Sequence, residues 1–536
     1  MANTSPRTTV ELIYRAADRY QDRPFLEENG AQLSFADFKQ ACIETAAGLK
    51  QLGFKPGDRA AIWAPNISEW VVAAFGTHFA GGQIVTLNTR YKGEEAAAIL
   101  NDSRASTLFV MGQFLGNDYL GMIADRELPH LQHRIQLKGE TETTATNHWH
   151  ELQAQGRAWI AEHGSKTIEQ QALAISGDAI SDIMFTSGTT GRAKGVLCGH
   201  QQNVQAFTTF SEILGLDDTD RYLIINPFFH SFGFKAGLLA CLSQGCTVLP
   251  EAVFDVDKIL ERIDNEKITV MPGPPTIFQS ILAHPNRSKY SLASLTKCTT
   301  GAAVIPTELI IAMRDELKIS TIITAYGLSE SCGLATMCRQ GDAPDTIAKT
   351  SGRAIPAVEV RCVDEQDNEV ASGEQGEIVI RGFNVMQGYL DNPEATAETI
   401  DGEGWLHTGD VGRMDEDGNL TITDRLKDMY ISGGFNCYPA EIESTLLRHA
   451  DVVQAAVIGY PDERMGEVGW AFVTLKQGAT TSAEDISAWA RDNMANYKAP
   501  RKIIVLDALP LNASGKVLKP TLRQRALDGT LNEGEA

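Results

Sequence analysis

The stretch from Phe185 to Gly195 constrains this chain more than any other. It follows a short, partly apolar run, Ile180 to Phe185, that reads as a strand. Three glycines (Gly188, Gly191, Gly195), four hydroxyl residues (Thr186, Ser187, Thr189, Thr190) and a single lysine, Lys194, then come together. Glycine lets the backbone curl tightly and expose its N–H groups, and the hydroxyls add further donors. The lysine supplies a point charge. Such a loop suits the phosphates of a nucleotide. It is not a Walker A loop, which needs four residues between its first glycine and Gly-Lys-Ser/Thr; here two separate Gly188 from Gly191.

A chain of 536 residues is too long for one compact core, so two or more domains are expected. The formal net charge of −22 argues against a nonspecific nucleic-acid binder, although local basic patches can still hold anions. One such patch gathers Lys498, Arg501, Lys502, Lys516, Lys519, Arg523 and Arg525 near the end. Nine cysteines lie scattered with no Cys-x-x-Cys pair, which fits a reducing compartment and neither a disulfide scaffold nor a zinc site. The polar start is no signal peptide, and Thr8 with Glu11 reads as a capping box opening an amphipathic helix. The most apolar region, Leu223 to Leu249, is interrupted by Pro227, His230 and Lys235, so it reads as buried core beside a site and not as a membrane span. A soluble, cytoplasmic protein with no integral membrane segment is expected, a monomer or a homodimer.

Up to about Asp424 short β-type runs alternate with helical patterns, which indicates layered α/β architecture with largely parallel sheets. Residues 139–171 are polar and mostly helical in composition, a surface excursion. Val358 to Arg381 reads as short strands with a glycine-rich turn, a small β subdomain closing the large one. After Arg425 a second unit of α+β composition begins. The expected division is 1–424 and 425–536.

Further motifs recur along the chain. They are Asn226 to Phe234 (with His230), Ala325 to Glu330, Trp405 to Asp410, Thr423 to Asp428 with Ser432-Gly433-Gly434 behind it, and Pro510 to Lys516. Together with the phosphate loop, and in this order, they resemble the adenylate-forming superfamily, which includes acyl-CoA synthetases, adenylation domains of peptide synthetases and beetle luciferases. The resemblance covers nearly the whole chain. It implies a large N-terminal domain and a small mobile C-terminal lid, and an enzyme that joins a carboxylic acid to coenzyme A with ATP and Mg²⁺. The acid attacks the ATP α-phosphate, pyrophosphate leaves, and the CoA thiol then displaces AMP.

Roles follow by the same resemblance. Lys516 approaches the α-phosphate and the substrate carboxylate. Glu330 holds Mg²⁺, a role that suits a hard carboxylate. Tyr326 lies flat against adenine, beside Ala325, Gly327 and Ser329; the family's usual threonine is serine at 329. Asp410 and Arg425 meet the ribose, since a carboxylate accepts from both hydroxyls and a guanidinium donates. Gly301, Ala302 and Ala303 bring backbone close to adenosine. Lys427 is the hinge, and Ser432, Gly433 and Gly434 line the thiol tunnel. His230 stands between acyl pocket and tunnel as a gate and orienting residue.

The acyl pocket is expected to be walled by His230, Phe232, Gly233, Phe234, Gly301, Gly327 and Ser331, with Gly233 and Gly327 leaving room for bulk. Apolar walls with no obvious acidic residue exclude free amino acids. The string around His230 looks closest to bacterial ligases for steroid-ring remnants of the indane-dione propanoate type and for alicyclic acids; a medium-chain fatty acid is the other reading. A serine hydrolase would want Gly-x-Ser-x-Gly, and residues 327–331 lack the last glycine. An acyl-AMP ligase that does not use CoA shares these motifs.

Overall fold

A computed structural model describes residues 5–141, 143, 147–186, 193–301, 305–425, 428–432, 435–437, 439–462, 465–494, 496–511 and 516–530. Two large, mainly parallel sheets dominate. The first runs Gly388–Tyr389, Lys194–Gly199, Ile180–Thr186, Gln83–Thr86, Arg59–Trp63, Thr107–Val110, His133–Gln136, Asn147–His148. The second runs Ala31–Ser34, Pro24–Glu28, Thr247–Pro250, Arg221–Ile224. Single bridges through Val270 then carry it to Lys297–Thr300, Thr321–Tyr326, Thr336–Met337 and Arg353–Ala354. One continuous core joins them. The helix Ser68–Phe79 buries every residue from Trp70 to Phe79, as expected of a helix that is apolar all round.

Residues 139–171 are more than a surface excursion. The helix Trp149–His163 packs against Phe35–Gln51 through two glycines. A Cβ at Gly156 would lie 1.9 Å from the carbonyl oxygen of Glu44, and one at Gly48 would lie 2.5 Å from that of Leu152. The Thr8 cap is half a box. Its hydroxyl accepts from the Glu11 N–H at 3.1 Å, while the Glu11 carboxylate accepts from the backbone of Arg7 instead.

A four-stranded antiparallel sheet follows, Val358–Val363, Gly376–Gly382, Leu406–Met414, Leu420–Arg425. Beyond it the chain builds a separate small sheet from Tyr430–Ser432, Phe435–Cys437, Val452–Asp462, Gly466–Leu475 and Lys502–Val505. Two apolar clusters of its own pack there. A large N-terminal α/β body and a small C-terminal α+β unit, of different sheet type, therefore divide the chain. All nine cysteines are free and buried. No described helix is long and apolar enough to cross a membrane.

One polar contact lies deep inside the large core. Lys235, in the π-helical turn Phe234–Leu239, sits 3.0 Å from Asp182 of the strand Ile180–Thr186, both fully buried. Burial alone would push the lysine pKa down; the facing carboxylate outweighs it and the net shift is upward. Asn203 donates to Asp182, and Ser181 donates to the same carboxylate at 2.8 Å. Lys235→Met should leave a buried carboxylate unpaired and destabilise by about 3–5 kcal/mol, whereas Lys235→Met with Asp182→Asn should recover much of that loss. Urea unfolding of the three proteins checks it, and equal midpoints for the single variant and wild type would refute it.

Candidate active site

The site gathers at the carboxyl ends of the parallel strands, where open α/β sheets hold ligands. Ile180–Thr186 and Lys194–Gly199 pair antiparallel, with Thr186 opposite Lys194, so these two residues form the base of the glycine-threonine hairpin. Its tip, Ser187, Gly188, Thr189, Thr190 and Gly191, lies outside the described residues, as do Ala302, Ala303, Lys427, Gly433 and Gly434. The Lys194 ammonium stands 4.9 Å from the ring centroid of Tyr389. The Tyr389 hydroxyl donates to Glu330 Oε1 at 2.9 Å, and the Met386 N–H donates to the Glu330 carbonyl at 2.8 Å. Burial first, then the Glu330 carboxylate, hold the Tyr389 phenol protonated. The half-buried Glu330 thus has one oxygen fixed by a phenol. Among the described residues no group is bonded to its other oxygen.

The strand Thr321–Tyr326 ends on Tyr326, whose hydroxyl donates to Asp410 Oδ2 at 2.6 Å. Asp410 is 5% exposed, and its backbone pairs with that of Arg425 across Leu406–Met414 and Leu420–Arg425. Three stretches far apart in sequence therefore meet at one phenol–carboxylate contact. Ser329 opens the short helical turn that carries Glu330, and its carbonyl accepts from the Cys198 thiol at 3.7 Å. Ser432 is buried in the small sheet.

His230 caps the turn Ser231–Gly233, its Nδ1 accepting from the Phe232 N–H at 3.2 Å. Solvent reaches the imidazole although protein surrounds it closely, so it stands on the floor of a crevice. That crowding first, then the charges of Lys516 and Lys235, push its pKa down to about 4. Lys516, from the C-terminal unit, is therefore close enough to be felt electrostatically at His230 of the N-terminal unit.

Four expectations about the acyl wall need correction. A Cβ at Gly233 would sit 2.1 Å from the Pro227 carbonyl oxygen, and one at Gly327 would sit 2.4 Å from backbone at Gly333. These glycines permit close backbone approach and leave no room for a substrate. Phe234 is fully buried against Trp70 and Phe75, inside the core and off the pocket wall. Ser331 is fully buried, its hydroxyl bonded to the Leu328 backbone. Gly301 is different: among the described residues a Cβ there would meet only the Ala325 carbonyl, at 3.8 Å, so it faces space that they leave open. Phe232 is half-buried. The reading of the sequence missed Tyr389, whose partner is 59 residues away. It also missed the Lys235–Asp182 pair, whose sole signal was a lysine in the most apolar stretch.

Comparison with known proteins decides the family. A model described as AMP-binding enzyme matches residues 13–390, and one described as AMP-binding enzyme C-terminal domain matches residues 441–516. The chain belongs to the AMP-binding enzyme family. It is 47% identical, over 97% of its length and 99% of the relative's, to a 3-[(3aS,4S,7aS)-7a-methyl-1,5-dioxo-octahydro-1H-inden-4-yl]propanoyl:CoA ligase of Rhodococcus jostii (strain RHA1). A ligase of the same name from Mycobacterium tuberculosis (strain ATCC 25618 / H37Rv) is 45% identical, over 97% of this chain and 99% of its own. Among solved structures, an anthranilate CoA ligase in complex with anthranoyl-AMP superposes with a TM-score of 0.85 at 27% identity, covering 98% of both chains. This AMP-binding enzyme is an ATP-dependent acyl-CoA ligase of the AMP-forming class.

Two predictions follow from the geometry of this ligase. Gly301→Val fills open space without touching backbone, so thermal stability should hold while kcat/KM for ring-bearing acids falls at least about tenfold more than for slim acids, because a clash excludes a substrate outright. A drop common to all acids would show that the space serves the nucleotide instead. For His230, the imidazole should stay neutral through pH 5–9, and its titration point, read by NMR with ¹⁵N-labelled histidine, should rise in Lys516→Ala. A titration point near the ordinary value of about 6.5 in both proteins would contradict the crowded crevice.

Proposed function

We propose that this ligase activates a propanoate carried on a fused keto-ring system of the methyl-dioxo-octahydroindene type. The supporting observation is the similarity to two ligases named for that acid, at 45–47% identity along almost the entire length of both partners. The open space at Gly301 agrees with a bulky apolar group.

In this reading each side chain has one task. Lys516 sets its ammonium between the acid's carboxylate and the α-phosphate, where negative charge grows during adenylation; a fixed cation there is worth about 10²–10³ in rate. Thr186, Lys194 and the hairpin tip bind the outer phosphates. Tyr326 offers a face to adenine and, through its hydroxyl, holds Asp410 ready to accept from the ribose, with Arg425 beside it. The neutral His230 borders the acyl group and keeps the crevice free of an extra positive charge. Lys427 is the hinge, and Ser432, Gly433 and Gly434 line the path of the CoA thiol.

Glu330 fits Mg²⁺ by its chemistry. It is a hard carboxylate near the phosphate hairpin, with Tyr389 occupying one oxygen and leaving the second for a cation that takes most of its ligands from phosphate and water. When bound, the ion would neutralise phosphate charge.

The test is pyrophosphate release and thioester formation across a panel: the dioxo-octahydroindenyl propanoate, a cyclohexane propanoate, an octanoate-length straight acid and an aromatic acid. We expect kcat/KM for the keto-ring acid to exceed the others by at least about tenfold. A preference for the straight acid would replace this reading with a fatty-acid ligase.

A further inference from the structure

The second large sheet presents one face to the segment that carries His230. Tyr222, Val270, Lys297 and Thr321 stand side by side across it. Paired residues send their side chains to the same face, and alternate residues along a strand return to it. Ile224, Thr299 and Ile323 therefore share that face, with Gly301 and Ala325 one step nearer the carboxyl ends.

Two contacts identify what covers this face. The Tyr222 hydroxyl donates to the Ala236 carbonyl at 3.1 Å, and a Cβ at Gly237 would lie 2.7 Å from Ile224 Cδ1. Both Ala236 and Gly237 belong to the turn following His230. The face is thus closed near Tyr222 and, among the described residues, open at Gly301 as a recess; Thr299 lies buried between the two, directly behind that recess. Asn226 belongs to the same wall, since its carbonyl lies 2.4 Å from where a Gly233 Cβ would be.

On this face Ile323 stands beside Thr299 and Val270 lies diagonally on its other side, both apolar and fully buried. Thr299 is 2% exposed, and its hydroxyl has no hydrogen-bond partner among the described residues; Asn226 Oδ1 is buried and likewise without one there. A buried hydroxyl left unpaired is destabilising, and valine would fill the same volume without that cost. Thr300 is also unpaired, but it points to the opposite face, beside Thr324, which bonds Cys338 and the Ile347 carbonyl.

We propose that the Thr299 hydroxyl, at the inner end of the recess, donates a hydrogen bond to a ring carbonyl oxygen of the acid and selects keto-ring acids over hydrocarbon acids of similar size. This rests on the keto-ring reading above. A ring ketone is an acceptor with no proton of its own, so a hydroxyl donor matches it. A site built to bond a polar group discriminates by that bond, whereas apolar walls distinguish size only.

The experiment compares Thr299→Val, Thr299→Ser and Thr300→Val with wild type. Each is assayed on the dioxo-octahydroindenyl propanoate, on the same ring acid with both carbonyls reduced to methylene, and on octanoate. Thr299→Val should lose about 10–100-fold in kcat/KM on the keto acid, the range of one buried hydrogen bond, and change less than about threefold on the other two. Thr299→Ser should stay within a few-fold of wild type, and Thr300→Val should not alter the preference. The melting temperature of Thr299→Val should equal or exceed that of wild type, which a structural hydroxyl would not allow. Equal losses on keto and carbonyl-free acids, or no loss on the keto acid, would overturn the assignment while leaving the keto-ring reading in place. A wild type that turns over only the carbonyl-free acids would overturn both.

Discussion

A buried cation orders this molecule. Lys235 and Asp182 lie fully inside the large core, one on the turn that follows His230 and the other on the strand that delivers the phosphate hairpin. Two charges removed from water stay together only where geometry and surrounding bonds are good. Asp182 meets that condition through Ser181 and Asn203, and the Ser181 carbonyl in turn bonds the His78 imidazole at 3.0 Å. The His78 ring continues to Thr9 at 2.9 Å and Thr9 to His200 at 3.0 Å. Burial pushes the pKa of both histidines down, so they remain neutral partners for this chain of bonds. A polar thread therefore runs from the first helix to the back of the crevice. Its consequence is positional, because it ties the strand Ile180–Thr186 to the turn that follows His230.

A second order of constraint comes from two phenols. Tyr326 joins the parallel sheet to Asp410 of the small antiparallel sheet, and Tyr389 joins Glu330 to the strand beside Lys194. Each sets a carboxylate against a phenol hydroxyl that donates to it. A carboxylate held at one oxygen keeps its orientation and still offers the other to a ligand. Glycines act in the same spirit at Gly233, Gly327 and Gly352, where backbone meets backbone at distances that no side chain permits. The crevice is therefore shaped by main chain, and its inner surface is set by the few side chains that rise from the sheet.

Much of this was legible in the sequence. The alternation of short β runs and helical patterns gave the layered body, and the motif order gave the chemistry, because a phosphate hairpin or a Tyr326–Asp410 contact needs fixed residue types. What stayed hidden is what depends on long-range register. Nothing local to Gly233 says that its missing side chain faces Pro227 and not the substrate, and nothing local to Phe234 says that it turns toward Trp70. Pairing of Tyr389 with Glu330 spans 59 residues. The Trp149–His163 helix looked polar because its own buried residues are Leu152, Gln153 and Gly156, which carry little hydrophobic signal.

The same distinction explains why reaction and substrate are written in different places. Activation of any carboxylic acid requires the same charges at the same phosphate positions, so those residues sit in strings that can be recognised by themselves. Recognition of one acid depends on which side chains share a sheet face beneath His230, and that is decided by pairing Tyr222, Val270, Lys297 and Thr321. A shift of one residue in this register would exchange Thr299 for Cys298 or Thr300 at the recess and leave every motif intact. Selectivity in such a protein is therefore a property of strand register, and a hydroxyl set beside Ile323 carries information that no loop motif contains.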